Sequence, residues 1–153
     1  MLLGIYTTDQ DVCRNLDKLN LTGGSTALLS IITQNKLLLA NVGDSKAILI
    51  RGNQAIPINT EHTDHDEEER KAVEARGGFI FEKKTITGAR RILVQGSLEV
   101  TRAIGDRNYK KYITCEPDIY EYEFSQDDQY LILATDGLWK VKDLDFWFNL
   151  DRK

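Results

Sequence analysis

Two apolar runs in this sequence each end in a turn that carries a carboxylate. They are Ala40-Asn41-Val42-Gly43-Asp44-Ser45 and Leu133-Ala134-Thr135-Asp136-Gly137. Read as strands, they deliver Asp44 and Asp136 to strand ends, and if the two strands are neighbours the carboxylates converge. Hard cations such as Mg²⁺ or Mn²⁺ take oxygen ligands, and a rigid sheet fixes the separation of two such ligands. Each carboxylate taken alone has a plainer explanation, because Asp beside Gly is ordinary turn chemistry.

The remaining polar clusters point less sharply. His62 and His65, with Asp64 and Asp66, form a His-x-x-His stretch, but it has no Cys or third His nearby and runs straight into a helix. It reads as a solvated turn with caps rather than as a zinc site. No Ser/His/Asp order and no activated Cys is legible. Lys83, Lys84, Arg90 and Arg91 suit a phosphorylated or acidic partner, or plain solvation of a loop. Trp139, Phe146, Trp147 and Phe148 read as core or as part of an interface.

The elements that must position these groups follow from periodicity. Val12, Leu16 and Leu19 repeat at helical spacing after Asp9, a candidate N-cap, and Gly23-Gly24 breaks the pattern. Thr26 to Ile32, Leu37 to Val42, Ala47 to Arg51 and Ala55 to Ile58 are short apolar runs separated by turn residues, which reads as an antiparallel meander. Glu67, Glu68 and Glu69 then mark a helix N-terminus, and Gly77-Gly78 supplies its stop. Phe79 to Phe81 and Ile92 to Val94 read as strands flanking a basic, exposed connection that includes Gly88. Asp118 to Phe124 alternates, whereas Tyr130 to Ala134 is continuously apolar and reads as a strand buried on both faces. Val141, Leu144 and Phe148 suggest a last helix. Strands with interspersed helices and no internal repeat indicate a single α+β domain.

Composition narrows the function classes. The chain has 153 residues, 41% hydrophobic and 29% charged, with a net charge of −4. This suits a globular domain and supplies no basic stripe for a phosphate backbone, so nucleic acid is not an expected partner. No apolar run approaches the ~18 residues of a membrane span, and the opening residues lack a secretory signal. Two distant cysteines, Cys13 and Cys115, make no disulfide framework, so the expected compartment is cytoplasmic or nuclear.

With these residues laid out, the sequence resembles the metal-dependent protein serine/threonine phosphatases of the type 2C (PPM) family. Four separated segments match in the family's order: Gly24-Ser25-Thr26-Ala27, ANVGDSKAILIRG from Ala40 to Gly52, GSLEVTRAIGD from Gly96 to Asp106, and LILATDGLWKV from Leu131 to Val141. The Glu-rich helix ending in Gly77-Gly78 and the Glu116-Pro117-Asp118 step also sit where the family has them. Several ordered motifs are far more specific together than any one alone. The resemblance implies an α+β fold, a type 2C phosphatase-like β-sandwich flanked by helices and truncated at both ends, with residues 1–153 as a central part of the family domain. It also implies a binuclear Mg²⁺/Mn²⁺ centre at which metal-bound water attacks phosphorus. By the same resemblance Asp136 looks like one of the aspartates that hold the metal pair, and Asp44 like a ligand of an additional, weaker metal site. The segment Lys83 to Gly96 resembles the flap beside the cleft, through which a phosphoprotein substrate or a protein partner would be chosen.

The departures from the family pattern shape the functional expectation. The upstream Asp-Gly-His-Gly-Gly motif that supplies the bridging aspartate is absent, and the only Asp-Gly here is Asp136-Gly137. The downstream Asp-Asn pair and the arginine that grips substrate phosphate have no counterpart either. Lys140 stands where the family usually has an aspartate. The expectation is therefore a phosphatase-domain piece, inactive as an isolated chain, with a non-catalytic, pseudophosphatase-like binding module as the alternative. Lys140 lies four residues after Asp136 and either reaches the two carboxylates or points into solvent.

Overall fold

The computed structural model describes residues 1–84 and 90–141. Its first element, helix α1, spans Leu2–Leu19 with Met1 as its N-cap, eight residues earlier than a cap at Asp9. The early turns are held because Ile5 is buried against Ala40, Val42 and Cys115. Asp9 is no cap. It lies inside the helix, 8% exposed, where its carboxylate accepts a hydrogen bond from the Gly105 amide at 2.8 Å and pairs with Lys110 at 2.5 Å. The helix ends in a left-handed Asn20, before the glycines rather than at them.

Six strands build the body of the fold: β2 (Ala27–Ile32), β3 (Lys36–Val42), β4 (Lys46–Arg51), β5 (Gln54–Pro57), β9 (Asp118–Glu123) and β10 (Asp128–Ala134). The expected meander breaks between β3 and β4. β2 and β3 pair in one antiparallel sheet of order β2-β3-β9, and β4 and β5 in another of order β10-β4-β5. Leu37 and Leu39 of β3 meet Ala47 and Leu49 of β4, with Ile58, in the core between the sheets. Burying each large side chain is worth about 1.5–3 kcal/mol, and the ladder bonds that a β3–β4 hairpin would offer are made instead with β9 and β10. Crossing between layers therefore costs no hydrogen bonding and gains a two-sided core.

β9 alternates as its sequence does. β10 does not lie buried on both faces: it is an edge strand among the described residues, and Tyr130 and Leu133 are exposed at 45% and 37%. A continuous apolar run shows that a strand is hydrophobic without saying whether neighbours cover it.

Two minor sheets complete the frame. β1 (Gly24–Ser25) pairs with β8 (Ile104–Gly105), and β6 (Ile80–Lys84) pairs with β7 (Arg90–Val94). Lys83, Lys84, Arg90 and Arg91, expected in a loop, are ladder positions of the second pair, with Lys83 opposite Arg91 and Lys84 opposite Arg90. Gly88 lies outside the described residues, as do Phe146, Trp147 and Phe148 and the last helix beyond Val141. Helix α2 (Glu67–Ala75) begins as its sequence indicates, with the Asp66 carboxylate accepting from the Glu68 and Glu69 amides, and stops at Gly77 with φ of +80°.

Candidate functional site

Register alone brings Asp44 and Asp136 together. Lys46 opposes Ala134 at one end of the antiparallel β4–β10 ladder. Asp44 lies two residues before Lys46 and Asp136 two residues after Ala134, so both leave the sheet on the same side and at the same height. The proximity is felt electrostatically: burial pushes the Asp44 carboxyl up, and the neighbouring Asp136 charge raises it further. Lys140 opposes that rise and Glu61 adds to it. Asp136 opens the short helix α3 (Asp136–Trp139), which is pinned to its strand by the Trp139 indole donating to the Ala134 carbonyl at 2.8 Å.

Lys140 does not point free into solvent. Its ammonium donates to Asp136 Oδ2 at 2.5 Å and lies 3.6 Å from Glu99 Oε2, although the side chain remains 62% exposed. The hydrogen bond to Asp136 is the chief cause that raises the ammonium's pKa, with Glu99 and Asp44 contributing charge. One cation thus serves three carboxylates.

Asp44 is aimed by the turn beneath it. Gly43 holds φ at +102°, and a β-carbon there would meet Thr26 Cγ2 at 2.3 Å, so glycine is required on conformational and steric grounds together. Thr26 and Ser45 hydroxyls bond at 3.0 Å on the same turn, and Asn41 Nδ2 donates to the Gly43 and Thr60 carbonyls. The Gly-Ser-Thr-Ala and Gly-Asp-Ser segments are therefore one packed unit, although they lie far apart in sequence.

His62, read from sequence as part of a solvated turn, is 1% exposed and closes this unit from the other side. Its Nδ1 accepts from the Gly43 amide at 3.0 Å, and its own amide donates to the Gly43 carbonyl at 2.9 Å. Nδ1 must be unprotonated to accept, so Nε2 carries the proton and donates to Asp118 Oδ2 at 3.1 Å. Burial, and then the Arg102 charge, hold the imidazole pKa below its ordinary value against the pull of Asp118. Asp64 is buried as well, and one of its carboxylate oxygens lacks a hydrogen-bond partner.

Behind His62 stands a charged network that sequence reasoning did not anticipate. Arg102 engages Glu69 through Nε at 3.0 Å and Nη2 at 2.5 Å, and reaches Asp118 Oδ1 through Nη1 at 2.8 Å. Thr101 donates to Glu69 Oε2 at 2.6 Å. Burial opposes the charge on Glu69, but Arg102 and Thr101 outweigh it and hold the carboxyl below its usual range. No local signal marks these residues, because Glu69 looks like one more helix-start anion and Arg102 like one more surface cation. Only the order of motifs shared with a family hints at them.

The donor set does not fit a two-metal centre. Among the described residues no group of three or more His, Cys, Asp or Glu side chains is placed to hold a metal ion, and Lys140 already occupies Asp136. Two closely spaced divalent cations need many more oxygens.

The fold is nonetheless that of a protein phosphatase domain. A Toxoplasma gondii serine-threonine phosphatase 2C superposes with a TM-score of 0.79 at 19% identity, covering 92% of this chain and 50% of that one. A Caenorhabditis elegans sex determining protein superposes with a TM-score of 0.86 at 29% identity, covering 95% of this chain and 35% of the other. Residues 5–145 match the protein phosphatase 2C family, and the chain belongs to that family. It is 39% identical over 134 residues to probable protein phosphatase 2C 59 and 42% identical over 118 residues to protein phosphatase 2C 3, both of Arabidopsis thaliana. These alignments take in 88% and 77% of this chain but only 41% and 25% of the two relatives, so the chain spans well under half their length.

Proposed function

We propose that these 153 residues carry part of a metal-dependent phosphoserine/phosphothreonine phosphatase site and that, by themselves, they do not hydrolyse phosphoesters. The observation that carries this reading is the convergence of Asp44 and Asp136 at one end of the β4–β10 ladder, with no metal-holding group of three or more His, Cys, Asp or Glu among the described residues. By the family resemblance Asp136 would supply a metal-facing ligand of the centre and Asp44 a ligand of an additional Mg²⁺ or Mn²⁺ site, were Lys140 not seated on Asp136. The residues present here hold the frame: Gly43, Thr26 and His62 aim Asp44, and Trp139 fixes Asp136. A phosphoprotein substrate or protein partner would engage the Lys83 to Gly96 segment, to which the paired strands β6 and β7 contribute residues.

The seating of Lys140 on Asp136 favours a second reading, a non-catalytic module that keeps the scaffold and binds partners. Turnover separates the family chemistry from its absence. The purified chain, incubated with Mn²⁺ and a phosphothreonine peptide, is expected to release phosphate at the background rate. Mn²⁺-dependent release that is abolished by Asp136→Ala would overturn the assignment of the site as incomplete.

A further inference from the structure

The disagreement between the family's metal and the residues at this end has a positive content. The β4–β10 register brings Asp44 and Asp136 to one end of the sheet, and the ammonium of Lys140 reaches Asp136 there as well as Glu99, which precedes β8. Lys140 Nζ is 2.5 Å from Asp136 Oδ2 and 3.6 Å from Glu99 Oε2, and its charge reaches Asp44. Acidic groups continue outward on both sides: Glu61 acts on Asp44, and Glu99 acts on the buried Asp64. A cation beside such carboxylates favours their ionised form.

We infer that Lys140 is a built-in counter-ion that takes the place of an exchangeable divalent cation beside Asp44 and Asp136, closing this carboxylate end to Mg²⁺ and Mn²⁺. The inference rests on the assignment of Asp44 and Asp136 to the cation-binding end and names what occupies it. Geometry supports it in two ways. Asp136 and Lys140 are four residues apart across one short helical turn, so the ammonium is delivered to the carboxylate by backbone geometry and needs no rearrangement to reach it. The helix is itself fixed to β10 through Trp139, which keeps the tether aligned with the strand end.

Competition follows from charge. Unit charges about 4 Å apart interact by about 1 kcal/mol even at the dielectric of water; doubled for a divalent ion, this repulsion is an approximately 30-fold loss of affinity. The lysine also denies Asp136 Oδ2 to a metal.

The test uses the full chain with Mn²⁺ alone, read by calorimetric titration and by the electron paramagnetic resonance signal of bound Mn²⁺. Lys140→Ala is expected to bind Mn²⁺ about 30-fold more tightly than the parent chain. Lys140→Asp, which adds an oxygen ligand, is expected to bind more tightly still, and Lys140→Arg to stay as weak as the parent. Asp44→Asn placed in Lys140→Asp is expected to remove most of the gain, locating the ion. Thermal melts check that each variant is folded, and Lys140→Gln replaces any that is not. Equal affinity in parent and Lys140→Ala, tight binding by Lys140→Arg, or a gain that survives Asp44→Asn would each overturn the inference. Phosphate release by the parent chain would instead remove the functional reading, and the Mn²⁺ comparison is read independently of turnover.

Discussion

Replacing Arg102 by methionine keeps the length of the side chain and removes its charge and all its donors. In the folded protein Arg102 binds both oxygens of Glu69 and one oxygen of Asp118, and its side chain is 16% exposed. Glu69, 9% exposed, would be left with Thr101 alone. Stranding one charge of a buried pair costs about 3–5 kcal/mol. Asp118, 38% exposed, adds little because water reaches it. Against a total of about 5–15 kcal/mol for an ordinary domain, that is a large share. It should lower the urea midpoint by about 2 M for a slope near 2 kcal/mol per M. The loss also has a pH signature. Glu69 is held below its unfolded pKa by Arg102, so its stabilising contribution is present above the unfolded value and is lost as pH falls through the folded one. In Arg102→Met the folded pKa rises above the unfolded value, and the stranded carboxylate can be relieved by protonation. The gap between the two proteins should therefore be widest at neutral pH and shrink on acidification through the carboxylate range. Adding Glu69→Gln to Arg102→Met should recover part of the loss at neutral pH. Urea titrations at neutral pH and at about pH 4 decide the matter. A cost below about 1 kcal/mol, or one of equal size at both pH values, would show that water screens the pair and would refute the reasoning.

Gly43→Ala is expected to cost about 2 kcal/mol or more, because φ of +102° is strained for an L-residue and the new methyl meets Thr26 at 2.3 Å. A urea midpoint within experimental scatter of the parent would contradict this. Burial pushes the Cys115 thiol up to about 11, with Asp9 adding to the rise, so it is protonated as well as covered at pH 8. Disulfide-exchange labelling of the native chain should therefore modify Cys13 first, with Cys115 reacting only on denaturation; equal rates for the two thiols in the native state would count against the packing of Cys115 under α1.

How much of this could be read from sequence depends on the range of the signal. Helix α2 was legible to its caps, because Asp66, the three glutamates and Gly77 act within a turn of the backbone they cap. The strands β2 to β5 were legible within a residue or two, since alternation and turn residues are also local. Asp44 and Asp136 stood out as strand-end carboxylates, and ordered motifs pointed to the family. The helix start failed at Asp9, because a buried Asp inside a helix looks like a cap until its partner Gly105, 96 residues away, is in place.

What tertiary structure alone decided is which strands pair and which side chains meet. The sequence names an apolar β3 and an apolar β4, but whether they zip into a hairpin or face each other across a core depends on β9 and β10, which arrive much later in the chain. The same holds for His62, whose neighbours suggest solvent and whose burial comes from Gly43 and Asp118, and for Arg102, whose charge is matched by a glutamate 33 residues earlier. The position of Lys140 could be read as being within reach of Asp136, yet whether it turned to the carboxylates or to water was settled by the helical turn that delivers it and by Glu99 on the far side. Local propensities depend on a few neighbouring residues and so can be read along the chain. Ion pairs, buried hydrogen bonds and sheet order depend on distances through space, and those exist only once the chain has closed on itself.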